Sequence, residues 1–257
     1  MRDDTEPPAV SASMEPPGVS LFFPVYRDEA TTALMIAKAV RFLSSVGAEY
    51  EIVVVDDASP DRSGAIADAL ARDNPRIRVI HHPENLGYGA AIRTGLAASR
   101  FEYVCFTDGD DQYEIEDFRK LLRLREHYDL IITFRYRKIY SSTRIFISWV
   151  YNTVLRFMFR TRFRDVSTGL RMVRRSLVDE IHLESNSPFI GAELAIKAMV
   201  AGYRVGEVGI QTFPRTFGHG SSTSMHNIIA TIVDMWRTYR KMFSDEYDLP
   251  PNRERRR

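Results

Sequence analysis

Residues 108–112 read Asp108-Gly109-Asp110-Asp111-Gln112 and follow the apolar run Tyr103-Val104-Cys105-Phe106 after the single residue Thr107. Carboxylates this close repel one another, and removing them from water is costly unless a cation or hydrogen-bond donors compensate. The apolar run reads as a buried strand, which puts the acids at its C-terminal end. That position suggests a cation together with an anionic ligand. The reading is a divalent metal, Mg²⁺ or Mn²⁺, held by Asp108 and Asp110 and carrying a nucleotide diphosphate. The plainer alternative is a solvated acidic turn capping a helix from Glu114.

The elements that must position these acids alternate along the chain. Residues 19–25 read as a strand, and 28–46 as a helix closed by Gly47, with Leu34, Ala37 and Val40 at helical spacing. Residues 51–55 are β-branched without alternation, as in a strand buried on both faces, and end in Asp56 and Asp57. A helix to about residue 72, a strand at 77–80, a turn at 85–89 and a helix at 90–99 lead to the central strand. A helix at 114–127 and a strand at 130–133 follow. This order predicts an α/β fold with a mostly parallel, Rossmann-like sheet flanked by helices. In such sheets ligands bind outside the carboxyl ends of the strands. The clusters Pro24 to Asp28, Asp56-Asp57 and Asp108 to Gln112 therefore belong on one edge.

Composition limits the alternatives. With 257 residues and 44% apolar content the chain can bury one substantial core. Lys and Arg number 35 against 34 Asp and Glu, so bulk charge does not argue for a nucleic-acid partner. The one cysteine, Cys105, excludes an intramolecular disulfide framework and reads as strand packing. His81-His82 lacks metal-spaced partners and is not a zinc site. The sequence carries no apolar run long enough to span a bilayer and no signal-peptide order, so a cytoplasmic location is the expectation. Residues 1–18, with four prolines, are expected to be a disordered lead-in. Residues 19–224 are expected to form the catalytic domain, 225–246 an amphipathic helix and 247–257 a basic tail.

From Arg135 to Arg175 there are eleven basic residues and one acid, Asp165. Within that stretch, residues 145–159 include Trp149, Tyr151, Phe157 and Phe159. At about 1.5 Å per residue this helix is too short to cross a bilayer. Its apolar surface and flanking arginines suit the headgroup boundary of an anionic membrane. A helix at 191–201 carries Glu193 near its start, an extended run at 205–213 leads to Arg215, and 218–224 form a flexible loop.

Taken together, these segments resemble the family 2 inverting glycosyltransferases of the A-type fold, with the nearest likeness to dolichol- and polyprenyl-phosphate sugar transferases. The matching motifs are Phe23-Pro24-Val25-Tyr26, the run 53–61 with Asp56-Asp57, Asn85-Leu86-Gly87-Tyr88-Gly89-Ala90-Ala91, and Asp108 to Gln112. Phe134-Arg135-Tyr136 and Asp165-Val166-Ser167-Thr168-Gly169-Leu170-Arg171 match downstream. The likeness departs at Arg27-Asp28, where the family's first motif continues Asn-Glu. It implies a nucleotide-sugar pocket made by Pro24, Tyr26, Asp28, Asp56, Asp57, Gly87 and Asp108, with a GDP- or UDP-sugar as donor. An Asx turn is the alternative for one of the Asp56-Asp57 pair. The resemblance also adds Gln112 as a third metal ligand beside Asp108 and Asp110. With a lipid phosphate as acceptor, the nucleophile is already ionised and no strong general base is needed. Arg135, Arg144 and Arg215 then shield two anions from each other, and Asp165 and Glu193 serve as positioning acids of the catalytic group. With a hydroxyl acceptor on a glycan, protein or small molecule, one of those acids has to act as base. A membrane-docking protein with an inactive transferase fold is the non-enzymatic alternative. Membrane association is expected to be peripheral, either direct or through a small membrane subunit.

Overall fold

The computed structural model describes residues 18–136, 142–213 and 224–243, with side chains from residue 145 onward in the middle segment. The expected lead-in, the flexible loop at 218–223, Arg215 and the basic tail lie outside the described residues, as does the side chain of Arg144.

Seven strands form one sheet in the order β3-β2-β1-β4-β6-β5-β7. The strands β1 (Val19–Val25) and β2 (Tyr50–Asp56) are buried along their whole length, which is why neither alternates in sequence. Next to them lie β3 (Ile77–His81), parallel to β2, and β4 (Tyr103–Phe106), parallel to β1. Beyond them are β5 (Leu130–Arg135), β6 (Arg171–Arg174) and β7 (Val205–Ile210). β6 runs antiparallel between β4 and β5, so β4 and β5 point the same way. The C-terminal ends of β1, β2, β3, β4, β5 and β7 consequently share one edge.

Helices cover both faces. α1 (Glu29–Val46) and α2 (Ser63–Asp73) pack on one side, with Met35, Phe42 and Leu43 against Leu21, Phe23 and Ile52. α3 (Tyr88–Ala98) lies on the other, where Phe22, Val53 and Phe106 point. Adjacent residues of β1 thus feed opposite cores, as the two-residue repeat of a strand requires. A Cβ at Gly95 would stand 2.2 Å from the Phe22 ring, so only glycine allows α3 to lie this close to β1.

Two expectations change. Residues 114–127 do not form one helix: a 3-10 turn at Ile115–Asp117 leads into the five-residue α4 (Phe118–Leu122). After it, Leu124 N–H bonds to Leu121 and His127 N–H to Leu124, three-residue steps that tighten the helix into turns. β6 and the short α6 (Arg175–Glu180) were not expected, because an Arg-Met-Val-Arg segment lacks the apolar run of its neighbours. The remaining helices are α5 (Ser142–Phe159), α7 (Ile190–Val200) and α8 (Met225–Met242).

Candidate active site

The three acidic clusters follow three spatially adjacent strands, β2, β1 and β4. Each strand-end turn holds a non-glycine residue with positive φ: Arg27 at 60°, Ala58 at 55° and Asp111 at 59°. Such conformations cost free energy and persist where surrounding contacts fix them. Here the contacts cross between loops. Thr31 Oγ1 donates to the Gly109 carbonyl at 2.8 Å, and Asp28 N–H to Ser63 Oγ at 3.0 Å. A Cβ on Gly109 would stand 2.7 Å from the Pro24 carbonyl oxygen. Asp28 Oδ2 accepts the Tyr26 N–H at 3.1 Å, and Tyr26 itself is exposed at the rim.

At the end of β4, Asp108 accepts from the Tyr88 hydroxyl at 2.7 Å. Burial and the negative charge of Asp108 push that hydroxyl well above its ordinary pKa, so it remains a donor. Asp110 is buried and accepts from the Gln112 N–H at 3.2 Å and its side-chain amide at 2.5 Å. Gln112 therefore spends its amide nitrogen on Asp110. Asp111 turns away to Lys38 Nζ on α1, at 2.7 Å. The loop is stitched to the far side of the sheet by the bridge Tyr113–Thr212 and by Phe213 N–H bonded to the Gln112 carbonyl at 3.0 Å.

Asp56 and Asp57 are buried and heavily committed. Asp56 closes the expected turn by accepting the Ser59 N–H at 2.9 Å, and its other oxygen meets His81 Nδ1 at 2.8 Å. Hydrogen bonds to Asp56 and then Asp68 raise the His81 pKa. Asp57 meets His82 Nδ1 at 2.7 Å and takes the N–H groups of Leu86 and Gly87 at 2.9 and 3.0 Å. The two histidines had carried no role in the sequence reading. The signal that could have found them is register, since β2 and β3 pair Asp56 with His81, which sets Asp-Asp beside His-His.

Arg135 ends β5 and donates through Nε and Nη2 to Asp165 Oδ2 at 2.9 and 2.7 Å. Asp165 Oδ1 accepts from Ser167 N–H at 3.0 Å and Ser167 Oγ at 2.5 Å. Both members of the pair are nearly buried, 9% and 4% exposed at the side chain. The lone acid of the basic stretch thus orients an arginine. Glu193 lies apart from this group: it is fully buried in α7, bound to Lys197 at 2.6 Å and to the N–H groups of Glu184 and Ser185. Its carboxylate holds the 184–187 loop, which Asp234 of α8 also holds through the N–H groups of Asn186 and Ser187. Arg171 is buried with its guanidinium on the carbonyls of Thr168, Val166 and Gly191.

A family model described as glycosyl transferase family 2 matches residues 20–182. The chain belongs to that family. Its match takes in all three strand-end clusters and the Arg135–Asp165 pair. Among the relatives of this family 2 glycosyltransferase is glycosyltransferase AglD of Haloferax volcanii, 28% identical over 80% of this chain and 34% of that protein. An undecaprenyl-phosphate 4-deoxy-4-formamido-L-arabinose transferase of Pseudomonas paraeruginosa is 32% identical over 63% of this chain and 48% of its own length. The chain therefore spans about a third and about half of these two relatives. Glucosyl-3-phosphoglycerate synthase from Mycobacterium tuberculosis, solved with Mn²⁺, UDP and phosphoglyceric acid, superposes with a TM-score of 0.70. At 17% identity over 87% of this chain and 78% of that one, it shares the A-type fold.

Proposed function

We propose that the chain is a metal-dependent inverting glycosyltransferase that moves a mannose- or glucose-type sugar from a GDP- or UDP-sugar to polyprenyl or dolichyl phosphate. The observation that carries this reading is the common edge. Asp108 and Asp110 end β4, Arg135 ends β5, and one strand lies between them, a backbone separation of roughly 10 Å. A carboxylate pair for the leaving diphosphate thus faces an arginine for the incoming phosphate across the width of a sugar.

The donor set at β4 fits a hard divalent cation. Among the described residues no three His, Cys, Asp or Glu side chains group to hold a metal by themselves. Mg²⁺ and Mn²⁺ complete their shells with water and substrate phosphates, so two carboxylates suffice. When bound, such a cation neutralises charge building on the departing nucleoside diphosphate. Tyr88 and Gln112 each donate a hydrogen bond to their carboxylate, which is the arrangement a metal-binding carboxylate can keep. Gln112 supports Asp110 through its amide nitrogen, and its oxygen is the atom that would serve as a ligand. Asp56, held by His81 and the Ser59 N–H, flanks the nucleoside end of the pocket, and Asp57 fixes the loop that closes it. Arg135, aimed by Asp165, binds the acceptor phosphate, whose oxygen attacks the anomeric carbon opposite the diphosphate. No side chain has to remove a proton from an acceptor that is already ionised. Arg144 and Arg215 are assigned to the same phosphates on the family resemblance alone.

The name of the Pseudomonas relative, an undecaprenyl-phosphate sugar transferase, supports the lipid-phosphate acceptor. The Mn²⁺ and UDP of the Mycobacterium structure support the donor chemistry. On this reading the protein works at the cytoplasmic membrane face, with residues 19–224 as the catalytic unit and the amphipathic α8 packed against it through Met235, Tyr239 and Met242.

The test is release of nucleoside diphosphate on addition of lipid phosphate, with labelled sugar passing into chloroform. Asp110→Ala should lower the rate at least 10²-fold, and chelator should abolish it. Full activity in chelator sinks the metal role, and a water-soluble product sinks the lipid acceptor.

A further inference from the structure

Tyr88 stands in the Asn85 to Ala91 motif, of which the sequence reading placed only Gly87 in the donor pocket, yet its hydroxyl reaches Asp108 Oδ1 at 2.7 Å. The other side of that carboxylate is closed by Gly169. A Cβ there would lie 2.3 Å from Asp108 Oδ2 and 2.5 Å from Cγ, so Asp108 is wedged between a donor and a bare backbone. Gly169 is itself fixed, its N–H donating to Tyr113 Oη at 3.0 Å.

The backbone carrying Tyr88 is pinned on both sides. Before it, the Gly87 N–H is held by Asp57 Oδ2 at 3.0 Å, with φ at 91°. After it, the Gly89 N–H donates to the Asn186 carbonyl at 2.8 Å. A Cβ on Gly89 would stand 2.2 Å from the Ser185 carbonyl oxygen, so the loop held by Glu193 and Asp234 abuts this turn directly. A ligand carboxylate performs best when an outer partner fixes its rotamer, and such partners are worth about 10–100-fold in metal affinity.

We propose that Tyr88 is a positioning residue of the metal site, locking Asp108 against Gly169 and linking it through Gly87 and Asp57 to the nucleoside end of the pocket. This rests on the metal-dependent reading given above.

Mn²⁺ titration in the presence of UDP, and separately GDP, followed by the EPR signal of free Mn²⁺, tests it without turnover. Tyr88→Phe removes one oxygen and should melt cooperatively while binding Mn²⁺ about 10–100-fold more weakly. Excess Mn²⁺ should restore its kcat, placing the defect in the KM for metal. Tyr103→Phe removes a hydroxyl at the opposite end of β4, one that donates to Glu126, and should bind Mn²⁺ within twofold of wild type. Gly169→Ala, which pushes Asp108 aside, should weaken Mn²⁺ more than about tenfold and carries the test if Tyr88→Phe does not fold. Wild-type binding with Tyr88→Phe unchanged overturns the role of Tyr88 and leaves the metal site standing. Failure of the wild type to bind Mn²⁺ with either nucleotide overturns the metal site itself, and the positioning role with it.

Discussion

At the scale of single residues, the Arg135–Asp165 pair separates a catalytic from a merely structural arginine. Two buried charges are tolerable only because each answers the other, and removing one leaves the remainder uncompensated. Asp165→Asn should therefore cost about 3 kcal/mol of stability, a fall of roughly 10 °C in melting temperature. If Arg135 also binds the acceptor phosphate, the same variant should lose on the order of 10²-fold in activity at a temperature where it stays folded. The loss should lie in kcat and in the KM for lipid phosphate, with the KM for nucleotide-sugar unchanged. An Arg135→Lys variant should share the kinetic defect, because one ammonium cannot reproduce the Nε and Nη2 contacts to a single carboxylate oxygen. Kinetics that fall only in step with the folded fraction assign the pair to stability alone.

At the scale of elements, the edge of the sheet opposite the active site is held by a buried acid. Glu51, 1% exposed on β2, accepts from Ser20 Oγ on β1 at 2.7 Å, from the Arg100 N–H at 2.6 Å and from Arg78 Nη2 on β3 at 2.9 Å. Burial raises its pKa, but the bonds from Ser20, Arg100 and Arg78 outweigh burial and leave it below the ordinary glutamate value. A lowered folded pKa means that the contribution is present above the unfolded pKa, near 4.3, and is lost as pH falls through the folded value. Glu51→Ala should destabilise the protein by roughly 1–3 kcal/mol at pH 7, and the gap should begin to narrow as pH falls through the ordinary glutamate range and go on narrowing through the lower folded value. A gap that is constant with pH assigns the effect to packing. This network also marks the limit of what the sequence showed. The buried parallel strands were legible because runs such as Ile52 to Val55 are apolar throughout and end in acids. β6 was not, because its pairing with β4 and β5 depends on contacts distant in sequence. The clamps on the acids were hidden for the same reason: His82 reaches Asp57 across 25 positions, and Gly169 meets Asp108 only because β6 is reversed.

At the scale of the whole molecule, the distribution of apolar surface bears on how the proposed lipid acceptor would reach a water-soluble donor. No helix among the described residues is long and apolar enough to cross a membrane. Two helices nevertheless expose large apolar residues: Phe146, Trp149 and Phe157 on α5, and Ile232 and Trp236 on α8, with Phe243 directly after it. The helices meet where Phe159 packs edge-on against Tyr239, with ring centroids 5.7 Å apart. Beside this contact, Arg156, Phe157, Arg160, Tyr239 and Phe243 line one open cleft of ≈ 560 Å³. Arg156 and Arg160 line that cleft, and the exposed Arg162 and Arg164 follow in sequence, a combination suited to an anionic lipid surface rather than to water. A basic side chain near such a surface contributes about 1 kcal/mol. Replacing all four arginines with glutamine should therefore weaken binding to phosphatidylserine vesicles by up to roughly 10³-fold at low salt. Wild-type binding should itself weaken as salt rises, because the attraction is screened within about 10 Å at 0.1 M. Trp149→Ser with Trp236→Ser should weaken binding to neutral vesicles as well, where charge contributes little. Vesicle binding that ignores salt and both sets of substitutions assigns the aromatic face to another protein, which would then have to deliver the proposed lipid acceptor.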